Sequence, residues 1–145
     1  MSKPTQITKD MTIGEALRLV AEQRRHRIAL VAGDERVTYG QLVERVAALS
    51  GWLRELGVGK GDRVAVLLRP DAAFVYLFFA VAEAGAVIAP LPFRMRVGQL
   101  ETVVRQLEPI LVVTSSGLEV PGGLEALDAL RRELPALRHI LLTDV

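Results

Sequence analysis

The chain contains no cysteine. Disulfides, thiolate metal sites and a cysteine nucleophile are therefore excluded within these residues. The absence is compatible with the cytoplasm, and that is the expected location. Histidine is scarce. His26 and His139 stand far apart with no second histidine nearby, so neither has metal-ligand spacing. Charge of one sign is not in excess either: 18 basic and 17 acidic residues are interspersed, for a formal net charge of +1. No basic face suited to nucleic acid is visible. The opening residues, Met-Ser-Lys-Pro-Thr-Gln, lack the apolar core of a signal peptide. Serine, histidine and aspartate are all present, but no nucleophile elbow joins them.

What is there is a globular composition. Half of the 145 residues are hydrophobic and 24% are charged, enough for one compact α/β unit with its own core. The densest basic run, Arg24-Arg25-His26-Arg27, reads as a helix C-terminus, where cations meet the negative end of the dipole. Ala72 to Leu91 is almost wholly apolar and as long as a membrane span. Glu83 interrupts it, Gly85 stops a helix and Pro90 follows. The stretch reads as a buried helix, Ala72–Ala84, with Asp71 as N-cap, and then a buried strand, Ala86–Ala89. A helix–glycine–strand break cannot cross lipid without unpaired backbone.

The periodicity gives the remaining elements. Thr12 and Glu15 have capping-box spacing, and Ile13, Ala16, Leu17 and Val20 recur at helical intervals, predicting a helix over Thr12–Gln23. Arg27–Val31 and Glu35–Thr38 flank Ala32-Gly33-Asp34 as a short hairpin. Thr38 and Gln41 repeat the capping-box spacing. Leu42, Val46, Leu49, Leu53 and Leu56 form one stripe, beside which Trp52 packs, and Gly57 ends that helix. Val64–Leu68 is a continuous apolar run, as in a strand buried on both faces. Then come a helix at Val97–Leu107, a strand at Ile110–Thr114, a helix at Gly123–Leu134 and a strand at His139–Thr143. Prolines 109 and 135 break the helices. Three strand–helix–strand steps predict a mostly parallel sheet with flanking helices and right-handed crossovers, preceded by a helix and a short hairpin. Phe74, Tyr76, Phe78 and Phe79 sit on the most apolar helix and are expected in the core.

Two loops invite a nucleotide reading. Gly57-Val58-Gly59-Lys60-Gly61-Asp62 leaves a helix and enters a strand, the reverse of a phosphate loop, so it is a tight turn in which Asp62 bonds the backbone. Thr114-Ser115-Ser116-Gly117 follows a strand and precedes Pro121-Gly122-Gly123, at the sheet edge where ligands bind. It has no lysine, and Glu119 would repel an anion, so it reads as a polar surface loop.

Val37-Thr38-Tyr39-Gly40-Gln41-Leu42 resembles the first core motif of the adenylate-forming (AMP-binding) superfamily of acyl-CoA synthetases, luciferases and peptide-synthetase adenylation domains. Leu56-Gly57-Val58, Lys60-Gly61-Asp62-Arg63-Val64-Ala65-Val66 and Ala80 through Leu91 follow in the family's order, and Arg96–Leu107 and Pro109–Thr114 match its next helix and strand. The similarity spans about residues 12–114. It implies the N-terminal subdomain of an acyl-CoA synthetase-like fold over 1–145, ahead of the ATP-binding loop. Pro90-Leu91-Pro92-Phe93-Arg94 looks more like acyl- or aryl-CoA ligases, fatty-acid metabolism among their settings, than amino-acid adenylation domains. ATP, Mg²⁺ and CoA are implied for the intact enzyme, through motifs expected beyond Val145. No catalytic, cofactor-binding or metal-binding residue is therefore assigned here, and the segment alone is expected to be inactive. The expected partner is the rest of such an enzyme. The alternative is a free-standing module that self-associates or docks through an exposed sheet edge near Thr143.

Overall fold

The computed structural model describes residues 6–143. The extreme N-terminus, read above as lacking a leader's apolar core, and the end at Val145 lie outside the described residues. The chain divides into two compact units: residues 1–57 with 71–84, and residues 58–70 with 85–145.

The first unit holds α1 (Ile13–Arg24), β1 (Ile28–Ala32), β2 (Glu35–Thr38), α2 (Tyr39–Glu55) and α3 (Ala72–Glu83). Both predicted capping boxes form. Thr12 Oγ1 accepts from the Glu15 N–H at 3.2 Å while the Thr12 N–H donates to Glu15 Oε2 at 2.8 Å. The Thr38–Gln41 pair repeats this at 3.2 and 2.9 Å. Each box satisfies two helix-end donors that would otherwise lack partners. β1 and β2 pair antiparallel with Ala32 opposite Glu35, and Gly33 takes φ +59°, as a two-residue hairpin turn requires. The basic run closes α1: Arg24 is its last residue, the Arg25 carbonyl accepts from the Gly40 N–H at 3.0 Å, and the Arg25 guanidinium pairs with Glu44.

The apolar stripe of α2 differs from its prediction in one respect. Leu42, Val46 and Leu53 are fully buried, but Leu49 and Leu56 are only half-buried, and Ser50 takes a fully buried place. A straight helix turns 3.6 residues per cycle, so the buried line drifts across positions 49 and 50. Trp52 is half-buried beside it.

In α3, Asp71 Oδ1 accepts from the Phe74 N–H at 3.0 Å, as an N-cap should. The aromatic cluster is not the sealed core that the sequence suggests. Phe74, Tyr76, Phe78 and Phe79 are all half-buried, and the fully buried residues of α3 are Ala72, Leu77, Ala80 and Val81. Helix geometry cannot turn four residues within a six-residue stretch to one face, so the smaller side chains take the tightest positions. Phe78 and Phe79 meet edge to face with centroids 5.4 Å apart.

The second unit holds β3 (Arg63–Leu67), β4 (Val87–Pro90), α4 (Val97–Leu107), β5 (Leu111–Ser115), α5 (Gly123–Glu133) and β6 (His139–Thr143). All four strands are parallel, in the order β4-β3-β5-β6. The central strands carry the continuous apolar runs: Val64–Leu67 and Leu111–Val113 are at most 1% exposed. α4 and α5 place Leu100, Val104, Leu127 and Leu130 against Ala65, Leu67 and Val112 to form the core. α4 ends at Glu108 with φ +47°, and the Glu108 N–H donates to the Val104 carbonyl at 3.0 Å. Pro109 disfavours helical backbone in the residue before it, which is why the turn opens there.

β4 corrects the sequence reading twice. It begins at Val87 rather than Ala86, because Gly85 stands at φ +82° and the first ladder bond runs from the Val87 N–H to the Asp62 carbonyl at 2.7 Å. It is also an edge strand, not a buried one: Val87 is 53% exposed. Its edge position tolerates Pro90, which has no N–H to give, and Leu91 resumes the ladder to the Val66 carbonyl at 2.9 Å. Among the described residues, no helix is long and apolar enough to cross a membrane.

Candidate functional site

The glycine loop after α2 lies where β3 begins, at the N-terminal edge of the parallel sheet. Three of its backbone donors are taken up within the second unit. The Gly59 N–H donates to Asp62 Oδ2 at 2.8 Å, the Asp62 N–H to the Gly59 carbonyl at 3.1 Å, and the Gly61 N–H to the Gly85 carbonyl at 3.4 Å. Asp62 thus closes the turn as the sequence indicates, and these amides do not converge on a place for an anion.

The C-terminal edge is different. From β3 the chain rejoins the sheet as β4 on one side, whereas from β5 it rejoins as β6 on the other. Between β3 and β5 the outgoing connections diverge, which is the topological switch point where parallel sheets present a crevice. Thr114 marks its floor. It is fully buried, and its Oγ1 donates to the Leu67 carbonyl at 3.3 Å, tying β5 to β3 at their last shared register.

Three connections meet above this floor. Arg69 follows β3, Phe93 and Arg94 follow β4, and Glu119 lies between β5 and α5. Glu119 Oε2 accepts from Arg94 Nε at 2.6 Å, while its Oε1 is paired with the Arg69 guanidinium. Both guanidinium groups lie over the Phe93 ring, Arg69 at 5.7 Å and Arg94 at 5.5 Å from its centre. The space that Arg69, Phe93 and Glu119 enclose with Leu67, Ser115 and Leu118 is ≈ 10 Å³, room for about one water.

The Thr114–Gly123 loop itself is not a phosphate cradle. The Leu118 N–H donates to the Ser115 carbonyl at 3.1 Å and the Gly123 N–H to the Val120 carbonyl at 2.8 Å. Gly123 serves packing: a Cβ there would sit 2.9 Å from Leu118 Cδ2 and 3.0 Å from Val120 Cβ. Glu119 lies across its mouth, paired with both arginines. The sequence registered Glu119 only as a carboxylate that repels anions; the structure shows it neutralised by two arginines. Arg69 was not singled out by motif reading. The signal that could have found it is position alone, just beyond the end of a central parallel strand.

A second polar cluster belongs to the first unit. Arg45 on α2 donates to Glu35 Oε1 at 2.6 Å and also hydrogen-bonds the Tyr76 hydroxyl on α3. Arg45 draws the Glu35 carboxyl below the usual carboxylate range, and burial pushes the Tyr76 phenol up. This links the hairpin to two helices and shows no reactive geometry. Among the described residues no group of three or more His, Asp or Glu side chains could hold a metal ion.

Comparison with known proteins agrees with this architecture. Residues 17–145 match the family described as AMP-binding enzyme. The chain is 37% identical over 102 residues to a feruloyl-CoA synthase of an Amycolatopsis species, covering 70% of this chain and 21% of that protein. It is 32% identical over 114 residues to the vanchrobactin synthetase VabF of Vibrio anguillarum, covering 77% of this chain and 4% of that one. It therefore spans about a fifth or less of these relatives. Its fold matches a putative long-chain-fatty-acid CoA ligase from Rhodopseudomonas palustris with a TM-score of 0.83 at 24% identity, over 94% of this chain and 33% of that structure. The family match runs from within α1 through β6, the whole parallel sheet included, and on that ground the chain belongs to the AMP-binding enzyme family.

Proposed function

We propose that these residues are the N-terminal scaffold of an ATP-dependent carboxylate–CoA ligase. The intact enzyme would join a carboxylate to ATP with release of pyrophosphate, then pass the acyl group to the CoA thiol with release of AMP. The observation that carries this reading is the similarity to a feruloyl-CoA synthase at 37% identity. It is supported by Pro90 to Arg94, whose pattern is closer to acyl- and aryl-CoA ligases than to amino-acid adenylation domains. The switch-point loop does not fit ATP, so ATP, Mg²⁺ and CoA fall to other parts of the ligase, and the 145-residue chain alone is inactive. Isotope exchange between ATP and pyrophosphate, run with this chain and a panel of aryl and fatty acids, should stay at background. Exchange that depends on both chain and acid would overturn inactivity. Replacing the matching N-terminal residues of feruloyl-CoA synthase with these should leave a soluble chimera that forms acyl-CoA; a folded chimera without activity would count against the scaffold role.

One observation favours a second reading, a module that self-associates. Among the described residues β6 pairs with β5 alone, and its Leu142 is 47% exposed. A groove of ≈ 420 Å³ runs beside it, lined by Leu124, Asp128, Arg131, Arg138 and Ile140 among others. An open strand edge recruits another chain. Light scattering across concentration should then show a dimer, and a monodisperse monomer excludes this reading.

A further inference from the structure

We infer that the hollow at the N-terminal edge of the parallel sheet binds a small zwitterion of the amino-acid class, its carboxylate on Arg138 and Arg63 and its ammonium on Asp62 and Glu108. The hollow lies at the opposite edge of the sheet from the switch point. The inference rests on the second unit alone and does not depend on the ligase reading.

The hollow forms where three neighbouring strands begin. Asp62 and Arg63 lead into β3, Glu108 and Ile110 precede β5, and Arg138 precedes β6. These strands lie side by side in the order β3-β5-β6, so the residues line one space of ≈ 250 Å³. That is about eight waters' share of the liquid, room for a molecule of a few heavy atoms. The backbone of its floor is already paired. The Ile110 N–H donates to the Arg63 carbonyl at 2.9 Å, and the Arg138 and His139 N–H groups both donate to the Ile110 carbonyl, at 3.0 and 3.2 Å. A ligand is therefore read by side chains. Gly61 keeps the rim open: a Cβ there would meet nothing within 4 Å.

The charges decide the ligand class. Two guanidinium groups and two carboxylates line the hollow, and their charges sum to zero. They do not cancel in pairs. Arg63 Nη2 and Glu108 Oε2 stand 4.0 Å apart, beyond hydrogen-bond reach. Among the described residues no carboxylate pairs with Arg138. Asp62 Oδ2 accepts from the Gly59 N–H at 2.8 Å, which fixes that carboxylate and leaves Oδ1 to a ligand. A lone anion would gain Arg138 but meet Asp62 and Glu108. A lone cation would gain the carboxylates but meet both arginines. A molecule that carries both charges answers both sets, and a guanidinium offers its carboxylate a forked pair of donors. The rival explanation is a solvent-filled dent whose loose ion pair contributes little.

Titration of the isotope-labelled 145-residue chain, read by amide NMR shifts at Gly61, Ile110 and Arg138, separates the two. The probes are glycine, β-alanine and γ-aminobutyrate, which space the two charges differently, with acetate and methylammonium as single-charge controls. At least one zwitterion should give saturable shifts confined to these strand starts. Its affinity should exceed that of either control about tenfold, the scale of one charge-assisted hydrogen bond. Arg138→Gln should lower that affinity about tenfold, as should Asp62→Asn, whose amide oxygen still accepts from the Gly59 N–H. Circular dichroism on every variant verifies folding, and Glu108→Gln serves if Asp62→Asn does not fold. A preference for one zwitterion supports the site and sets its charge spacing. Acetate or methylammonium binding as tightly as every zwitterion overturns the inference. So does an absence of saturable shifts, or an affinity unchanged in the folded variants.

Discussion

The Arg45 guanidinium lies 5.1 Å from the centre of the Tyr76 ring, 31 residues further along the chain. The same guanidinium holds Glu35, so one cation ties the hairpin to α2 and α3. Replacing Tyr76 with Phe removes the hydroxyl but leaves the ring that faces the cation. Urea unfolding should therefore show a smaller loss for Tyr76→Phe than for Tyr76→Leu, with the difference on the order of 0.5–1 kcal/mol for an exposed cation–π pair. Equal losses would show that the ring face contributes nothing.

Acid should weaken the fold below the ordinary carboxylate range. Glu15 is held down by the Thr12 backbone N–H, Glu35 by Arg45 and Asp128 by Arg131. A carboxyl whose folded value lies below its unfolded one stabilises the protein above the unfolded value. That contribution is lost as pH falls through the folded value. Urea midpoints should thus be flat near neutrality and decline below about pH 4.5, the ordinary glutamate value. Glu35→Gln should flatten part of that decline.

Ser50 is fully buried in α2, and its hydroxyl has no hydrogen-bond partner among the described residues. An unsatisfied buried hydroxyl costs roughly 1–3 kcal/mol, and alanine is the better helix former. Ser50→Ala should therefore raise the urea midpoint or leave it unchanged, whereas Leu53→Ala, one turn away and also fully buried, should cost about 2–5 kcal/mol. A clear loss with Ser50→Ala would indicate a partner for the hydroxyl.

Gly85 stands at φ +82°, and a Cβ there would meet Lys60 at ordinary distances, the nearest atom being Cα at 3.7 Å. Space is available, so backbone strain alone sets the cost. Gly85→Ala should lose roughly 1–2 kcal/mol, the penalty for an L-residue in the left-handed region. Thermal melts of Gly85→Ala beside Gly51→Ala, where a Cβ meets nothing and φ is ordinary for a helix, isolate that term.

Most of the elements were legible because their signals are local. Thr12 with Glu15, Thr38 with Gln41 and Asp71 with Phe74 each close a hydrogen bond within three residues, and the sequence states both partners side by side. The serial order of motifs carried the family for the same reason. The errors fell where burial depends on what lies opposite: the half-buried aromatics of α3, the exposed Val87 and the buried Ser50.

The sequence by itself determined which segments are helices and strands, with ends within about a residue of those found, that the sheet is parallel, and that Gly57–Asp62 is a turn. Those features follow from backbone hydrogen bonds and steric limits spanning a few residues. Only the tertiary structure decided that β4 and β6 are edges, and that Arg69, Arg94 and Glu119 meet. Strand order sets which connections share a crevice, and an ion pair such as Arg94 with Glu119, 25 residues apart, leaves no mark in local spacing. Glu119, a repelling charge in the linear sequence, thus becomes the counterion of two arginines once β3 and β5 lie side by side.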